Sequence, residues 1–248
     1  MSDRHARTRL LVGEEGLRRL RDAHVAVIGL GGVGGYALEA LARAGVGSLF
    51  LVDSEAIDIT NLNRQILALE DTLNLPKVDV ARERILKINP ETRVETSRVF
   101  LSPDNIGSIL PEDVRFVVDA IDSVTAKVAL LETLFRREAT FVSCMGAGNR
   151  LDPTSIRVAD IHNTKGCPLA RAVRQQLRKL GITQGVRCVY AEDTPIQSTA
   201  EPPETYQGKR INGTISYLPG IVGLTAAGVI INDILGSPDC FRLDKGMR

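Results

Sequence analysis

Gly29-Leu30-Gly31-Gly32-Val33-Gly34 follows a short apolar run, 24–28, and Asp53 closes the next such run. Glycines at this spacing let a backbone approach a phosphate. A helix that starts there offers free N–H groups and a partial positive charge. A carboxylate about 20 positions further on can bond a ribose hydroxyl. The set predicts an adenine-nucleotide site, with Gly29, Gly31, Gly32 and Gly34 as the cradle and Asp53 on the ribose. A glycine turn without a ligand is the plain alternative. The fingerprint alone also leaves a nicotinamide cofactor and ATP both open.

The residues after Asp53 favour ATP. They run Asp58-Ile59-Thr60-Asn61-Leu62-Asn63-Arg64-Gln65, with Pro76-Lys77 following. A nicotinamide site has no use for this loop, whereas ATP needs fixed positive charge at its phosphates. Arg64 offers a planar fork and Lys77 a point charge at a helix start. Asn61 and Asn63 add neutral donors, and the four together suit a pentacovalent α-phosphate. Surface ion pairs are the plain reading of Arg64 and Lys77. Asp119 and Asp122 close a later apolar run, at the sheet edge where ligands bind in this architecture. One of them is a candidate to hold Mg²⁺ through water, and a structural cap is the other reading of Asp119.

The elements that must position these groups follow from periodicity. Strands are predicted at 25–28, 49–52, 93–99, 114–118 and 140–144, and helices at 14–21, 33–43, 76–88 and 125–137. Segment 53–74 is predicted as a loop with short helical turns. The alternation indicates an α/β, doubly wound, Rossmann-like and mostly parallel sheet. The last hundred residues are less regular. Strands are expected at 155–158 and 187–190, a helix at 168–180, a mobile loop at 193–213, and a packed apolar helix at 221–235. A subunit interface is one place for that last helix. The whole chain is taken as one domain, with a nucleotide-binding core at about 20–160 and a substrate or dimer region at about 161–248.

Composition narrows the partners. With 44% hydrophobic and 25% charged residues the chain is ordinary for a folded domain with its own core. A net charge of +1 supplies no global field toward nucleic acid or membrane, so any RNA contact needs a local patch. Arg171, Arg174 and Arg178, at helical spacing with Lys179 beside them, are the candidates. A solvated helix face is the bland reading of them. No run is expected to reach the roughly 18 apolar residues of a membrane span, and the arginine-rich start has no apolar signal core. A cytoplasmic protein with no membrane partner is expected. The four cysteines (Cys144, Cys167, Cys188, Cys240) form no C-x-x-C pair, which argues against a zinc ribbon and a disulfide framework. Cys188, in an alternating apolar run, reads as a buried small residue rather than a nucleophile.

Arg7, GLGGVGG at 29–35, LVD at 51–53, TNLNRQ at 60–65, PK at 76–77 and DAIDS at 119–123 give the chain a family resemblance. It resembles the ubiquitin-activating-enzyme-like superfamily, whose bacterial members are the ThiF, MoeB and HesA adenylating enzymes. The likeness covers roughly residues 4–160 and weakens toward the C-terminus. It implies a ThiF/MoeB-like fold and an ATP site lined by Gly32, Asp53, Asn61, Asn63, Arg64, Lys77, Asp122 and Ser123. It implies that Arg7 reaches the ATP phosphates of a neighbouring subunit, making a homodimer necessary. The implied reaction is attack of a carboxylate on the α-phosphate of MgATP, giving an acyl-adenylate and pyrophosphate.

Members that activate ubiquitin-like sulfur carriers usually hold zinc through two C-x-x-C pairs, which this sequence lacks. RTRLLVGEEGLRRL, NRQILAL, VDAIDSVTAKVAL, GAGNRLDPTSIRVADI and GLTAAGVIINDILG are similar instead to the branch that dehydrates threonylcarbamoyladenosine in tRNA. That likeness implies adenylation of a threonyl carboxylate and closure to a cyclic nucleoside, with modified tRNA as partner. Adenylation of a sulfur-carrier C-terminus is the alternative, with sulfur-transfer or carrier proteins as partners.

Overall fold

Arg-rich α1 (Ala6–Asp22) leads into β1 (His24–Ile28), the glycine turn and α2 (Gly34–Ala44). The computed structural model describes residues 3–196, 205–206, 209–210 and 212–236. Then come β2 (Ser48–Val52), α3 (Lys77–Ile88), β3 (Arg93–Ser97), a one-turn α4 (Ile106–Ile109), β4 (Phe116–Asp119), α5 (Val124–Arg136) and β5 (Thr140–Cys144). The chain continues through β6 (Ile156–Asp160), α6 (Pro168–Lys179), β7 (Arg187–Ala191), the short strands β8 (Thr205–Tyr206) and β9 (Lys209–Arg210), and α7 (Leu218–Leu235).

The seven-stranded sheet has the order β3-β2-β1-β4-β5-β7-β6, parallel except for β6. This is the doubly wound α/β sheet the alternation predicts. β1 pairs with β2 on one side and β4 on the other, so the chain reverses direction across the sheet there. Crevices form at such a switch point, outside the carboxyl ends of the strands.

Alternation within each strand sends side chains to two cores. Val25, Val27, Leu49 and Leu51 join one with residues of α2, α3 and α7. Ala26, Ile28, Phe50 and Val52 join the other with residues of α5 and α6. Strands buried on both faces are nearly all apolar for this reason.

Several expectations change. α1 begins well before residue 14, kinked at Gly13 (φ 70°, ψ −178°). β3 stops at Ser97, and α4 is too short for periodicity to reveal. The 193–213 segment is partly tied down. Ile196 N donates to Asn149 O at 2.6 Å, and β8 and β9 pair antiparallel. The rest of that loop lies outside the described residues, as does Cys240. β7, from the region beyond 160, sits inside the core sheet between β5 and β6.

The expectation that no segment is long and apolar enough to span a bilayer is also corrected. α7 has 18 residues at a mean hydropathy of 1.7. Its apolar surface packs within the protomer, where Val222, Ala226, Val229 and Ile230 are buried against α2 and the sheet. Gly223 permits the contact, since a Cβ there would fall 2.2 Å from Val33 O.

Candidate active site

The glycine turn is held from both neighbouring strands. Gly29 N donates to Val52 O and Ala120 N to Ile28 O, each at 2.8 Å. Gly29 sits at φ +89°, and a Cβ on Gly34 would lie 1.7 Å from Gly29 O, so only glycine lets the turn close. Gly31 and Gly32 differ. The nearest atom to a Cβ on Gly31 is Gln65 Nε2 at 3.8 Å. Over Gly32 lie Pro219 Cβ at 3.0 Å and Arg64 Cγ at 3.4 Å. Thus α7 and the Arg64 loop roof the turn, and the start of α2 offers the kind of free N–H groups that suit an anion.

Asp53 is oriented by two backbone amides. Leu30 N donates to Oδ2 at 2.7 Å and Glu55 N to Oδ1 at 2.8 Å. The carboxylate is thereby locked to the glycine turn at the tip of β2.

The 58–65 loop is built by a short turn, Ile59–Asn61. Asp58 Oδ1 accepts from the Thr60 hydroxyl and amide, which together hold its carboxyl below the usual range. Asn61 is buried and its Oδ1 accepts from Asp58 N at 3.2 Å, so it shapes the loop. Asn63 Nδ2 donates to Thr214 O at 2.9 Å and ties the loop to the segment before α7. Arg64 Nη1 donates to Thr60 O and Asn63 Oδ1, and Arg64 has no carboxylate partner among the described residues. Among the described residues its charge is uncompensated.

Lys77, the first residue of α3, is 2% exposed, and its Nζ lies 2.5 Å from Glu55 Oε2. Glu55 is 69% exposed. A buried ammonium whose carboxylate partner is exposed to water can exchange that partner for a phosphate. Glu55 was not singled out by the sequence, because nothing in local spacing marks an acid before a loop as the partner of a lysine after it. Gln65 was quoted in the motif without a role. It is 7% exposed and its Oε1 lacks a partner among the described residues, a polar group left for a ligand beside Gly31.

The two aspartates of the β4 edge separate. Asp119 is fully buried and bound to Lys127, Ser143 and the amide of Ile121, which settles it as structural. Asp122 is exposed in the turn before α5, and Ser123 is the residue preceding that helix. No group of three or more His, Cys, Asp or Glu side chains could hold a metal among the described residues. One exposed carboxylate fits Mg²⁺ bound mainly by nucleotide phosphates and water, the usual mode for that ion.

Arg7 is exposed on α1 before the kink and forms no hydrogen bond or ion pair among the described residues. Of the arginine stripe, Arg171 and Arg178 are exposed. Arg174 is corrected: its Nη1 is spent on Ile161 O, Thr164 O and Thr164 Oγ1 at 2.6–3.0 Å, so it braces the chain before α6. Cys188 is fully buried, and burial raises its thiol well above the ordinary value.

A glycine turn at a switch point, a carboxylate at the tip of β2 and the cations Arg64 and Lys77, from the adjoining loop and the start of α3, define a nucleotide-binding α/β protein. More narrowly, the chain belongs to the ThiF family, whose model matches residues 3–244. It is 37% identical over 243 residues to a tRNA threonylcarbamoyladenosine dehydratase of Bacillus subtilis, covering 95% of this chain and 96% of that one. Crystal structures of the E. coli tRNA N6-threonylcarbamoyladenosine dehydratase superpose with TM-scores of 0.87 in complex with AMP and 0.86 in complex with ATP. They are 35% and 36% identical to this chain, and each match covers 96% of both chains.

Proposed function

We propose that the protein uses ATP to cyclise N6-threonylcarbamoyladenosine in tRNA. The observation that carries this reading is near-full-length likeness to the dehydratases together with the intact phosphate machinery of Gly31, Gly32, Arg64 and Lys77. The threonyl carboxylate attacks the α-phosphorus of ATP, and pyrophosphate leaves. Arg64 and Lys77 neutralise charge that builds on the phosphoryl oxygens, in a pocket where Lys77 is shielded from water. Asp53 fixes the ribose and the start of α2 receives phosphate oxygens. Asp122 is the residue to hold Mg²⁺, which supplies charge neutralisation on the phosphates when bound.

In the second step the carbamoyl group next to the threonyl moiety gives up an N–H proton to solvent, and its nitrogen or oxygen attacks the acyl carbon. AMP leaves with the original carboxylate oxygen, so the nucleoside has lost the elements of water. Because this closure is intramolecular, it needs no carrier and no thioester. The burial of Cys188 agrees with that chemistry.

The active unit is a homodimer in which Arg7 of one protomer serves the other's ATP. Arg7 has no hydrogen-bond or ion-pair partner among the described residues, and beside it Leu10 and Leu11 are 87% and 88% exposed. A second copy covering them would bring Arg7 to its site.

The test is AMP release from ATP with and without threonylcarbamoyladenosine-modified tRNA, followed by mass spectrometry of the digested RNA. AMP formation that depends on this RNA, with a nucleoside lighter by one water, is the expected result. AMP formation with a Gly-Gly-tailed carrier peptide and none with the RNA would overturn it.

A further inference from the structure

A cleft of about 610 Å³ is lined by the chain at 164–168, the first two turns of α6 and Thr194. Lys165, Arg171 and Arg174 line it, and no carboxylate does among the described residues. The acids nearest in sequence to Thr194 are already engaged. Asp193 accepts from Arg150 Nη1 at 2.6 Å and from Ser155 Oγ at 2.9 Å. Glu192 lies 3.4 Å from Arg157. Arg174 is fixed to carbonyl oxygens, so its charge is a built wall of the cleft rather than a waving side chain.

The cleft also lies at the useful edge of the sheet. A Cβ on Gly166 would meet Glu192 O at 2.3 Å, and Arg150 Nη2 donates to Gly166 O at 2.9 Å. Both contacts place 166–168 beside the carboxyl end of β7, the edge that carries the glycine turn and Asp122. β7 is two strands from β4 in the sheet order, which is roughly 10 Å at ordinary strand spacing. On the tRNA reading, nucleotides flanking the adenylated one can cover this distance. A cleft carrying three cations asks for a polyanion.

We propose that this cleft holds backbone phosphates of the RNA flanking the modified nucleoside, with Lys165 and Arg171 as the charge contacts and Arg174 as the fixed floor. The inference rests on the tRNA reading above. Lys165 and Thr194 had no part in the arginine stripe read from the sequence, and Arg178 lies outside the cleft.

The experiment measures binding of fluorescently labelled, threonylcarbamoyladenosine-modified tRNA to the full-length protein across a salt series. The variants are Lys165→Ala/Arg171→Ala and, separately, Arg178→Ala. Both substituted cleft residues are exposed, so folding is not at stake. The double variant is expected to bind tRNA about tenfold more weakly or worse, and its dependence of log K on log salt should flatten by roughly 1.5. KM for tRNA should rise while kcat holds, and ATP affinity measured without RNA should be that of the wild type. Wild-type affinity and salt slope in the double variant would overturn the cleft. So would a loss confined to Arg178→Ala, which would put the contacts on the outer stripe. A wild-type protein that makes RNA-dependent AMP but shows no change in the double variant sinks the cleft alone. A wild type with neither tRNA affinity nor RNA-dependent AMP sinks the tRNA reading with it.

Discussion

Lys127 Nζ lies 2.6 Å from Asp119 Oδ2, and both side chains are wholly buried. The ammonium also donates to Cys144 O at 3.0 Å, and Ser143 Oγ donates to the same Asp119 oxygen at 2.6 Å. The other Asp119 oxygen accepts from Ile121 N at 3.0 Å. One ion pair thus joins α5 to the tips of β4 and β5 and pins the turn that carries Asp122 and Ser123.

Breaking one side of such a pair leaves an uncompensated buried charge, which costs about 3–5 kcal/mol. Lys127→Met should therefore lower stability by that amount in denaturant titration. Asp119→Asn/Lys127→Met should recover most of it, because no isolated charge remains. A single variant within about 0.5 kcal/mol of the wild type would show that the pair does not brace this turn.

Gly34 and Gly31 should fail in different ways. A Cβ on Gly34 collides with Gly29 O, so Gly34→Ala should disrupt the turn itself and lower the melting temperature along with ATP binding. Gly31→Ala meets nothing closer than 3.8 Å in the protein. It should fold normally yet weaken ATP by tenfold or more, because the methyl occupies space a phosphate needs. Equal loss of stability in both variants would place Gly31 in the fold rather than the site.

Arg64→Ala and Lys77→Ala should each reduce AMP formation by roughly 10²–10³, the scale for losing one preorganised charge at a developing anion. Arg7→Ala should do the same by a different route. Mixed Arg7→Ala and Lys77→Ala protomers should regain part of the activity, since one site in the heterodimer then has every group. Absence of rescue in verified heterodimers would argue that Arg7 does not act across subunits.

The buried thiols should be inert. Burial pushes Cys144 up to about 12 and raises Cys188 well above its ordinary value. Cys167 is only 6% exposed. In a Cys240→Ser background, a disulfide reagent at pH 8 should find no fast thiol until denaturant is added, and Cys188→Ala should keep full activity. One equivalent reacting within seconds in the native protein, with loss of turnover, would make a cysteine part of the chemistry.

The sequence by itself determined the βαβ alternation, the glycine turn and the places of Asp53, Arg64 and Lys77. These are local: period-two burial writes apolar runs, and a Cβ colliding with Gly29 O forces a glycine at 34. It also identified Cys188 as a core residue. Only the tertiary structure decided what depends on partners far along the chain. It seats β7 between β5 and β6. It spends Arg174 on carbonyl oxygens and leaves Arg171 beside Lys165 in a cleft. It pairs Lys77 with Glu55 and Lys127 with Asp119. It also buries α7, whose composition alone would suit a membrane. A side chain's charge and shape are fixed by its type, but whether that charge is compensated or bare depends on which strands and helices pack around it, and no local spacing encodes that.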